Sequence, residues 1–520
     1  MQFLTEYVHS LTKYNFLTKV LKVQPLTPVF TPAPAVKIMI NLGACFDIPT
    51  GAYEKGCHGE YILNGGLAAV SGVVGIGNNF KSTVTNFMAY TGLSRFVKYS
   101  RGSTYDTEIN IHESHHRQYK ITREIQEAFG INIIDDGRWT ITDKTVYTGD
   151  EFYDKYKEFL KDKRKNAKSY EVKTPFKDRD GGPLKVILPT FTVMDSASEF
   201  VTSDIIEMQN NNSLGESGRN TLSMRQGIGK NQFLMEVPGL ANGSYDFLMM
   251  TAHIGNVFNM DPRNPAPKKL QHLKADVKIK GVPEKFTFVT NNLFHCYNAA
   301  PLINQGTKGP EFPRSPDDDL AGDTDLNVVS VKVLRSKSGP SGMAIMVLVS
   351  QKEGVLPSLT EFYNIKENGR YGLEGNDRNY NLALIPEVKL SRTTVRGKID
   401  SDARLRRALN ITSEMCQMND LWHHLRPGLL CTPKELYDDL IKIGYDWETL
   451  YNTRHYWVVE EEEEGRPPFL STMDLLMMRI GEYVPYWFTK EQKAKLDMTK
   501  VVNIDGATPR VKIQNATAEA

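Results

Sequence analysis

The stretch Gly75-Ile76-Gly77-Asn78-Asn79-Phe80-Lys81-Ser82-Thr83 decides the fold of this 520-residue chain. It follows a glycine-broken apolar run, residues 67–74, and it precedes a helix-like segment, residues 84–93. This order predicts a strand, a glycine-rich turn and a helix. Inward-pointing backbone N–H groups, a helix N-terminus, a lysine and a hydroxyl group together suit a phosphate with its Mg²⁺.

Three positions of the stretch match the P-loop pattern G-x-x-x-x-G-K-[ST], namely Gly75, Lys81 and Ser82. Phe80 stands where the pattern has its second glycine. All nine residues, 75–83, are therefore candidate phosphate ligands, with Lys81 supplying charge and Ser82 a ligand for Mg²⁺. The alternative is an ordinary glycine-rich β–α turn that carries a surface lysine.

Composition sets limits on the protein class. The chain is 40% hydrophobic and 24% charged, with a net charge of +1, which predicts two or three globular domains without a global attraction to nucleic acid. Its five cysteines include no C-x-x-C pair, so we expect free thiols in a reducing compartment, and neither a zinc site nor a disulfide framework. No apolar run reaches about 18 residues and no signal peptide is evident, so we expect no membrane span.

Changes in pattern along the chain predict four regions. Residues 1–38 read as an amphipathic helix and a Pro-rich arm, in which Phe30 is either part of a plain linker or an anchor for a neighbouring subunit. Residues 39–370 form the predicted α/β core. Residues 371–500 form a mainly helical region, with a winged-helix-like module that includes Tyr456 to Val459. Residues 501–520 form a disordered tail.

Polar residues at the ends of further predicted strands are candidates for chemistry at the same sheet edge. Residues 103–108 read as a short strand ending in Glu108, which is placed to orient or deprotonate water. The run 184–194 is followed directly by Asp195, as in a Walker B strand, and Asp195 would then support Mg²⁺. The run 245–252 is followed directly by His253, a candidate γ-phosphate sensor. A shorter apolar segment, residues 131–134, is also a predicted strand.

Cationic segments follow the last two of these runs. They leave the predicted nucleotide edge of the sheet, which makes them candidates for contact with a phosphodiester backbone. The alternative is a solvated charged face. The candidate DNA-binding residues are Arg219, Arg225, Lys230, Arg263, Lys268, Lys269 and Lys274.

Arg335 and Lys337 follow a predicted strand that begins near Val328. Their i, i+2 spacing places both cations on one side of an extended chain, where they can reach a phosphate across a subunit boundary. The alternative is a hairpin with two exposed cations. Further on, residues 403–416 and 433–444 have helical patterns, and Thr432 and Pro433 form a predicted N-terminal cap.

The order of these motifs resembles the RecA-fold ATPases, and in several details the bacteriophage UvsX-type recombinases. Phe80-Lys81-Ser82 is similar to a P-loop ending of that branch, and residues 105–108 resemble the motif whose glutamate activates water. The position of His253 resembles that of the sensor before the second DNA loop. Arg335 and Lys337 resemble the cation pair that reaches a neighbour's ATP. The resemblance covers residues 40–365.

The resemblance implies an ATP- and Mg²⁺-dependent, DNA-dependent ATPase that assembles on single-stranded DNA and promotes strand exchange in recombination and repair. Its expected location is the cytoplasm, that of the host cell if the protein is phage-encoded. The segment Gly339-Pro340-Ser341-Gly342 also resembles the Gly-Pro-Thr-Gly of DnaB-type hexameric replicative helicases, so a ring helicase is the alternative. A structural phage protein with a degenerate P-loop is the third hypothesis.

Overall fold

The computed structural model describes residues 37–108, 112–142, 147–211, 222–257, 268, 270–453 and 469–506. The chain divides into two units between Lys37 and Ile38, and all described residues other than Lys37 belong to the second unit. Several predictions fall outside the described residues: nearly all of the N-terminal arm with Phe30, the segment 456–459, most of the C-terminal tail, and the candidates Arg219, Arg263 and Lys269.

The strands of the described residues are numbered in chain order. They are β1 (Ala52–Lys55), β2 (Tyr61–Asn64), β3 (Val70–Gly75), β4 (Gly102–Asp106), β5 (Trp139–Ile141), β6 (Glu171–Lys177), β7 (Pro183–Ile187), β8 (Thr190–Asp195), β9 (Asp246–Asn256), β10 (Val277–Lys280), β11 (Asn292–Pro301), β12 (Leu326–Arg335), β13 (Ala344–Ser350), β14 (Gly354–Val355), β15 (Leu373–Asn376), β16 (Asn379–Leu382) and β17 (Lys389–Leu390).

The α-helices of the same residues are numbered likewise. They are α1 (Asp47–Thr50), α2 (Lys81–Ser94), α3 (Glu113–Gln118), α4 (Lys120–Phe129), α5 (Gly149–Lys165), α6 (Ser203–Asn211), α7 (Leu222–Gly243), α8 (Lys285–Val289), α9 (Pro357–Glu367), α10 (Val395–Ser401), α11 (Ala403–Leu421), α12 (Pro433–Ile443), α13 (Trp447–Tyr451), α14 (Thr472–Arg479) and α15 (Lys490–Ala494).

A large mixed sheet lies at the centre of the molecule. Within the described ranges it has 10 strands in the order β14-β13-β12-β11-β3-β9-β8-β4-β5, and β10 pairs with the far end of β9. The strands from β11 to β5 in this order pair in parallel, whereas β12, β13, β14 and β10 pair antiparallel. The predicted α/β class with a mainly parallel sheet flanked by helices is therefore confirmed.

The strand that precedes the P-loop stretch is buried along its whole length, from Val70 to Gly75. It lies between β11 and β9, so both of its edges are hydrogen-bonded. A strand covered on both faces and paired on both edges needs the near-continuous apolar sequence that residues 67–74 supply. Because β3, β9, β8 and β4 are parallel, their carboxyl ends meet at one edge of the sheet.

Two sequence predictions require correction. Residues 131–134 form no strand, with Ile133 and Ile134 in a turn, and the strand that pairs with β4 on the side away from β8 is Trp139–Ile141. Ile133 and Ile134 are buried all the same, so their hydrophobicity reflects packing and not a strand. The run 184–194 is two strands, β7 and β8, because Pro189 lies between them and lacks an N–H for a sheet ladder.

The C-terminal helices pack on the antiparallel half of the sheet. A single hydrophobic cluster contains Leu326 of β12 and Leu348 of β13 together with Leu405 of α11 and Leu475 of α14. The predicted boundary at residue 370 therefore does not separate two hydrophobic cores. The predicted cap of α12 is present, since the Thr432 hydroxyl and the Glu435 side chain form a capping box.

Among the helices of the described ranges, none combines the length and the hydrophobicity needed to cross a bilayer.

Candidate functional site

The turn between β3 and α2 has two residues in the left-handed region of backbone space. Asn78 has a φ of 60° and Phe80 a φ of 57°. Phe80 occupies the position of the second glycine in the P-loop pattern, and its backbone takes a conformation that glycine adopts without strain. Phe80 therefore adds a side chain at this position, while its backbone keeps the left-handed conformation that a glycine there would adopt.

The turn is anchored to the neighbouring strand β11. A Cβ atom on Gly75 would lie 2.7 Å from the carbonyl oxygen of Cys296, so only glycine fits this approach. The side-chain amide of Asn79 donates a hydrogen bond to the same carbonyl at 3.0 Å. These two contacts fix the position of the turn relative to the sheet.

The N-terminus of α2 faces the turn with its first N–H groups uncapped by any side chain of its N-cap residue, Phe80. This 14-residue helix begins at Lys81, whose ammonium donates to the Ile76 carbonyl at 3.1 Å. Ile76, Gly77 and Asn78 are exposed. The uncapped N–H groups and the lysine together form a cradle of the kind that binds an anion.

Asp195 ends β8 directly beside this cradle. Asp195 is 7% exposed, and its carboxylate accepts a hydrogen bond from the Thr251 hydroxyl on β9 at 2.5 Å, while the Ser82 hydroxyl lies near it. Burial raises the pKa of Asp195, and the negative charges of Glu108 and Asp106 add to this, while the two hydroxyl groups oppose it. A buried carboxylate paired with a serine hydroxyl is an oxygen donor set that suits Mg²⁺.

Glu108 lies just beyond the end of β4. One carboxylate oxygen, Oε1, is 3.0 Å from Nε2 of His253 and accepts a hydrogen bond from the Ser196 hydroxyl at 3.2 Å. Partial burial acts to raise the pKa of Glu108, but these hydrogen bonds and the charge of Lys81 outweigh it, so the pKa is lowered. The carboxylate is therefore ionised at neutral pH.

Backbone contacts between β4 and β8 set the position of Glu108. The amide N–H of Thr107 donates to the Asp195 carbonyl at 2.8 Å, and the Ser196 N–H donates to the Thr107 hydroxyl at 2.7 Å. Asp106 accepts from the Glu108 N–H at 2.9 Å. The acid is thus held by the strand that also carries Asp195.

His253 connects this edge to β10. It lies within β9, which continues to Asn256, and its register partner on β10 is Lys280. The His253 N–H donates to the Ser198 hydroxyl at 2.9 Å, and this hydroxyl donates to the Lys280 carbonyl at 2.9 Å. The backbone of His253 is therefore hydrogen-bonded, through the Ser198 hydroxyl, to the strand that carries Lys280.

The described DNA-binding candidates have different surroundings. Arg225, Lys268 and Lys274 are exposed. Lys230 is buried, and its ammonium donates to the carbonyls of Ser198 and Gly281, which makes it a structural link and not a surface cation. Burial lowers the pKa of Lys230 to about 8.

Arg335 and Lys337 also differ. The guanidinium of Arg335 donates to the carbonyl of Thr287 in α8 of its own chain. Lys337 is exposed in the turn between β12 and β13. Of the predicted pair, Lys337 is therefore the more exposed cation, while Arg335 is half-buried and hydrogen-bonded within its own chain.

Three residues that sequence reasoning missed complete the site. They are Thr251, which hydrogen-bonds Asp195, and Thr107 and Ser196, which fix Glu108. Thr251 is a polar residue inside an otherwise apolar strand, a signal that the sequence does contain. The pairing of Thr107 with Ser196 depends on β4 lying next to β8, and no local pattern reports that adjacency.

No protein-family model matches this chain, and no curated protein is significantly similar to it in sequence.

Proposed function

We propose that this chain is a RecA-like, DNA-dependent ATPase of the UvsX type, which binds single-stranded DNA and promotes homologous pairing and strand exchange. The position of Ser82 near the buried Asp195, beneath the P-loop cradle, carries the proposal. It joins the first helical turn after the P-loop to the end of β8, which is the arrangement that a nucleoside triphosphate with Mg²⁺ requires.

Each residue of the edge has a role in the proposed hydrolysis. The N–H groups at the start of α2 and the ammonium of Lys81 bind the β- and γ-phosphates of ATP. Ser82 and Asp195 would hold Mg²⁺, which would neutralise charge on the phosphate oxygens. Glu108 orients the attacking water and accepts its proton, because its lowered pKa keeps the carboxylate ionised.

His253 couples the state of the nucleotide to DNA. Its imidazole contacts the Glu108 carboxylate, and its strand pairs with β10, close in sequence to the exposed Lys268 and Lys274. Lysine and arginine side chains on this side contact the phosphodiester backbone, and such contacts do not depend on base sequence.

Exposed apolar side chains support self-assembly. Met224, Ile228 and Met235 of α7 and Phe288 of α8 are each more than half exposed, at 64%, 61%, 61% and 63%. Exposed apolar surface of this kind is typical of protein interfaces. Phe288 follows Thr287, the partner of Arg335, so this surface lies next to one of the two proposed trans-acting cations.

The proposed hydrolysis is tested by measuring Mg²⁺-dependent ATPase activity of Lys81→Ala, with and without single-stranded DNA. We expect its activity to fall to background, while Lys165→Ala, an exposed lysine at the end of α5, keeps wild-type activity. Full activity in Lys81→Ala would refute the P-loop assignment. An inactive wild type would instead favour the structural phage protein.

A hexameric ring helicase remains the alternative function, and the turn Gly339-Pro340-Ser341-Gly342 favours it. This turn packs against the region after β9, since His272 Nε2 lies 3.1 Å from the Ser341 hydroxyl. Negative-stain microscopy with single-stranded DNA and a slowly hydrolysed ATP analogue separates the two. Helical filaments support the recombinase, and closed six-membered rings support the helicase.

A further inference from the structure

A compact set of metal-binding side chains lies in the loop between β1 and β2, outside the P-loop site. Cys57, His58 and Glu60 each offer one donor atom, and these atoms all lie within 4.8 Å of one another. The Cys57 Sγ is 3.4 Å from the His58 Nδ1, which is 3.8 Å from the Glu60 Oε1.

These separations match a tetrahedral zinc ion. Zinc–ligand bonds of about 2.3 Å to sulfur and about 2.0 Å to nitrogen place the two atoms roughly 3.5 Å apart, and nitrogen and oxygen roughly 3.4 Å apart. The Sγ–Nδ1 and Nδ1–Oε1 separations are thus within about half an ångström of these values, and the Sγ–carboxylate separation, which is within 4.8 Å, has to approach roughly 3.5 Å when one ion is coordinated. Sulfur, imidazole nitrogen and carboxylate oxygen are also the three donor types that zinc combines.

The Glu60 carboxylate is held in place before any ion binds. Glu60 is 1% exposed and accepts a hydrogen bond from the His58 N–H at 2.8 Å. A Cβ atom on Gly56 would lie 2.5 Å from this carboxylate, so a glycine at that position leaves the room that the carboxylate occupies. A buried carboxylate gains from a cation that compensates its charge.

The other two ligands are fixed by neighbouring segments. The His58 ring stacks on Tyr486 with centroids 4.2 Å apart and an angle of 18° between the rings. The Cys57 N–H donates to the Pro175 carbonyl of β6 at 3.1 Å, and Gly56 forms a β-bridge with Phe176. The loop is therefore attached both to the β6–β7 hairpin and to the C-terminal region.

We propose that Cys57, His58 and Glu60 bind Zn²⁺ through Sγ, Nδ1 and a carboxylate oxygen, with water as the fourth ligand. Binding converts the Cys57 thiol to a thiolate, and its proton goes to solvent. The ion then fastens the β1–β2 loop to the segments that carry Pro175 and Tyr486. This inference is independent of the proposed ATPase, and it reverses the expectation of no zinc site, which rested on the absence of C-x-x-C spacing.

The test uses Co²⁺ as a spectroscopic substitute for Zn²⁺ in the full-length protein, reduced and stripped of metal with a chelator. We expect one equivalent of Co²⁺ to give a thiolate-to-cobalt charge-transfer band and the intense visible bands of a tetrahedral site. Addition of Zn²⁺ is expected to remove the charge-transfer band and the visible bands, because Zn²⁺ displaces Co²⁺ from the site. Cys57→Ser abolishes the charge-transfer band, and His58→Ala and Glu60→Gln each weaken binding at least about tenfold.

His115→Ala is the matched control, because His115 is an exposed histidine that pairs with His112 and lies outside the cluster. It is expected to bind Co²⁺ as the wild type does. Circular dichroism verifies that each variant is folded, and Cys57 is only partly buried, so serine is a mild substitution there. The proposal is overturned if the folded wild type gives no charge-transfer band, or if Cys57→Ser retains it.

Discussion

The imidazole Nε2 of His253 lies 3.0 Å from the carboxylate Oε1 of Glu108, although the two residues come from strands that are not neighbours. His253 belongs to β9 and Glu108 follows β4, and β8 lies between these strands. The contact closes over the end of β8, where Asp195 is located. It therefore joins the proposed water-activating acid to the proposed DNA-coupled strand across the proposed Mg²⁺ ligand.

Glu108→Gln is expected to bind ATP normally but to hydrolyse it at least about 100-fold more slowly, because an amide cannot accept the proton of water. Nucleotide binding by calorimetry and single-turnover hydrolysis measure the two properties separately. Glu127→Gln, an exposed glutamate at the end of α4, serves as the control. Normal turnover in Glu108→Gln would show that another group is the base.

Ser82→Ala is expected to raise the Mg²⁺ concentration that supports half-maximal ATPase activity by about tenfold, since the variant loses the hydroxyl oxygen near Asp195 that is the proposed second ligand. A Mg²⁺ titration at saturating ATP measures the effect. Thr251→Val removes the other hydroxyl contact of Asp195 but no proposed ligand, and a smaller shift is expected. Equal Mg²⁺ curves for Ser82→Ala and wild type would contradict the assignment.

Phe80→Gly is expected to retain ATPase activity, whereas Phe80→Val is expected to lose most of it. The left-handed backbone at residue 80 costs glycine nothing, costs phenylalanine about 1 kcal/mol and is still less compatible with a β-branched side chain. Steady-state ATPase rates of the two variants, with thermal unfolding of each, provide the comparison. Loss of activity in Phe80→Gly alone would mean that the ring itself acts in the site.

Arg335 and Lys337 are expected to respond differently to alanine. Arg335→Ala lowers the free energy of unfolding by about 1 kcal/mol, because its guanidinium bonds the Thr287 carbonyl. Lys337→Ala leaves stability unchanged and lowers the DNA-stimulated ATPase rate at least about tenfold, as loss of a trans-acting cation would. Denaturant unfolding and ATPase assays of both variants separate the effects. An unchanged rate in Lys337→Ala would rule out its role in trans.

Stability is expected to fall as pH rises through the acidic and neutral range, in part because of Glu361. Burial raises the pKa of this carboxyl from 4.5 to about 8 in the folded protein. Between these values the folded state binds the proton that the unfolded state has released, so the free energy of unfolding decreases by on the order of 1 kcal/mol per pH unit and levels off above pH 8.

Urea unfolding of Glu361→Gln at several pH values tests this expectation. The variant keeps an acceptor for the Asn410 amide, which donates to Glu361 at 3.1 Å, and its pH dependence is expected to be shallower than that of the wild type. Glu367→Gln, an exposed position on the same helix, is the control. A wild-type slope in Glu361→Gln would assign the effect to other buried carboxyl groups.

Local sequence patterns predicted much of the parallel sheet and its helices. The burial of β3, the glycine-rich turn, the acid after β4 and the acid at the end of β8 were predictable from hydrophobic runs and the polar residues that end them. The proximity of Lys81, Ser82, Asp195, Glu108 and His253 followed from one assumption, that these strands are parallel neighbours or near-neighbours.

Features that depend on contacts between distant segments were not predictable in this way. The sequence predicts that Lys230 is an exposed cation of a basic segment. In the structure it is buried, and its ammonium donates to two backbone carbonyls. Ile133 and Ile134 read as a strand, yet they are buried in turns. In each case tertiary packing, and not local preference, determines where the side chain lies.

The hydrophobic cluster shared by β12, β13 and the C-terminal helices makes the burial of the central sheet depend on residues after position 370. Removal of everything after residue 370 would leave Ile48, Leu326 and Leu348 facing water. It would also remove Asp474, which accepts the Tyr61 N–H at 2.7 Å, and Trp422, which donates to the Ile48 carbonyl at 3.2 Å. The C-terminal region therefore cannot be replaced by an unrelated domain without exposing this core. A substitution in the core on one side of residue 370 requires a compensating substitution on the other side.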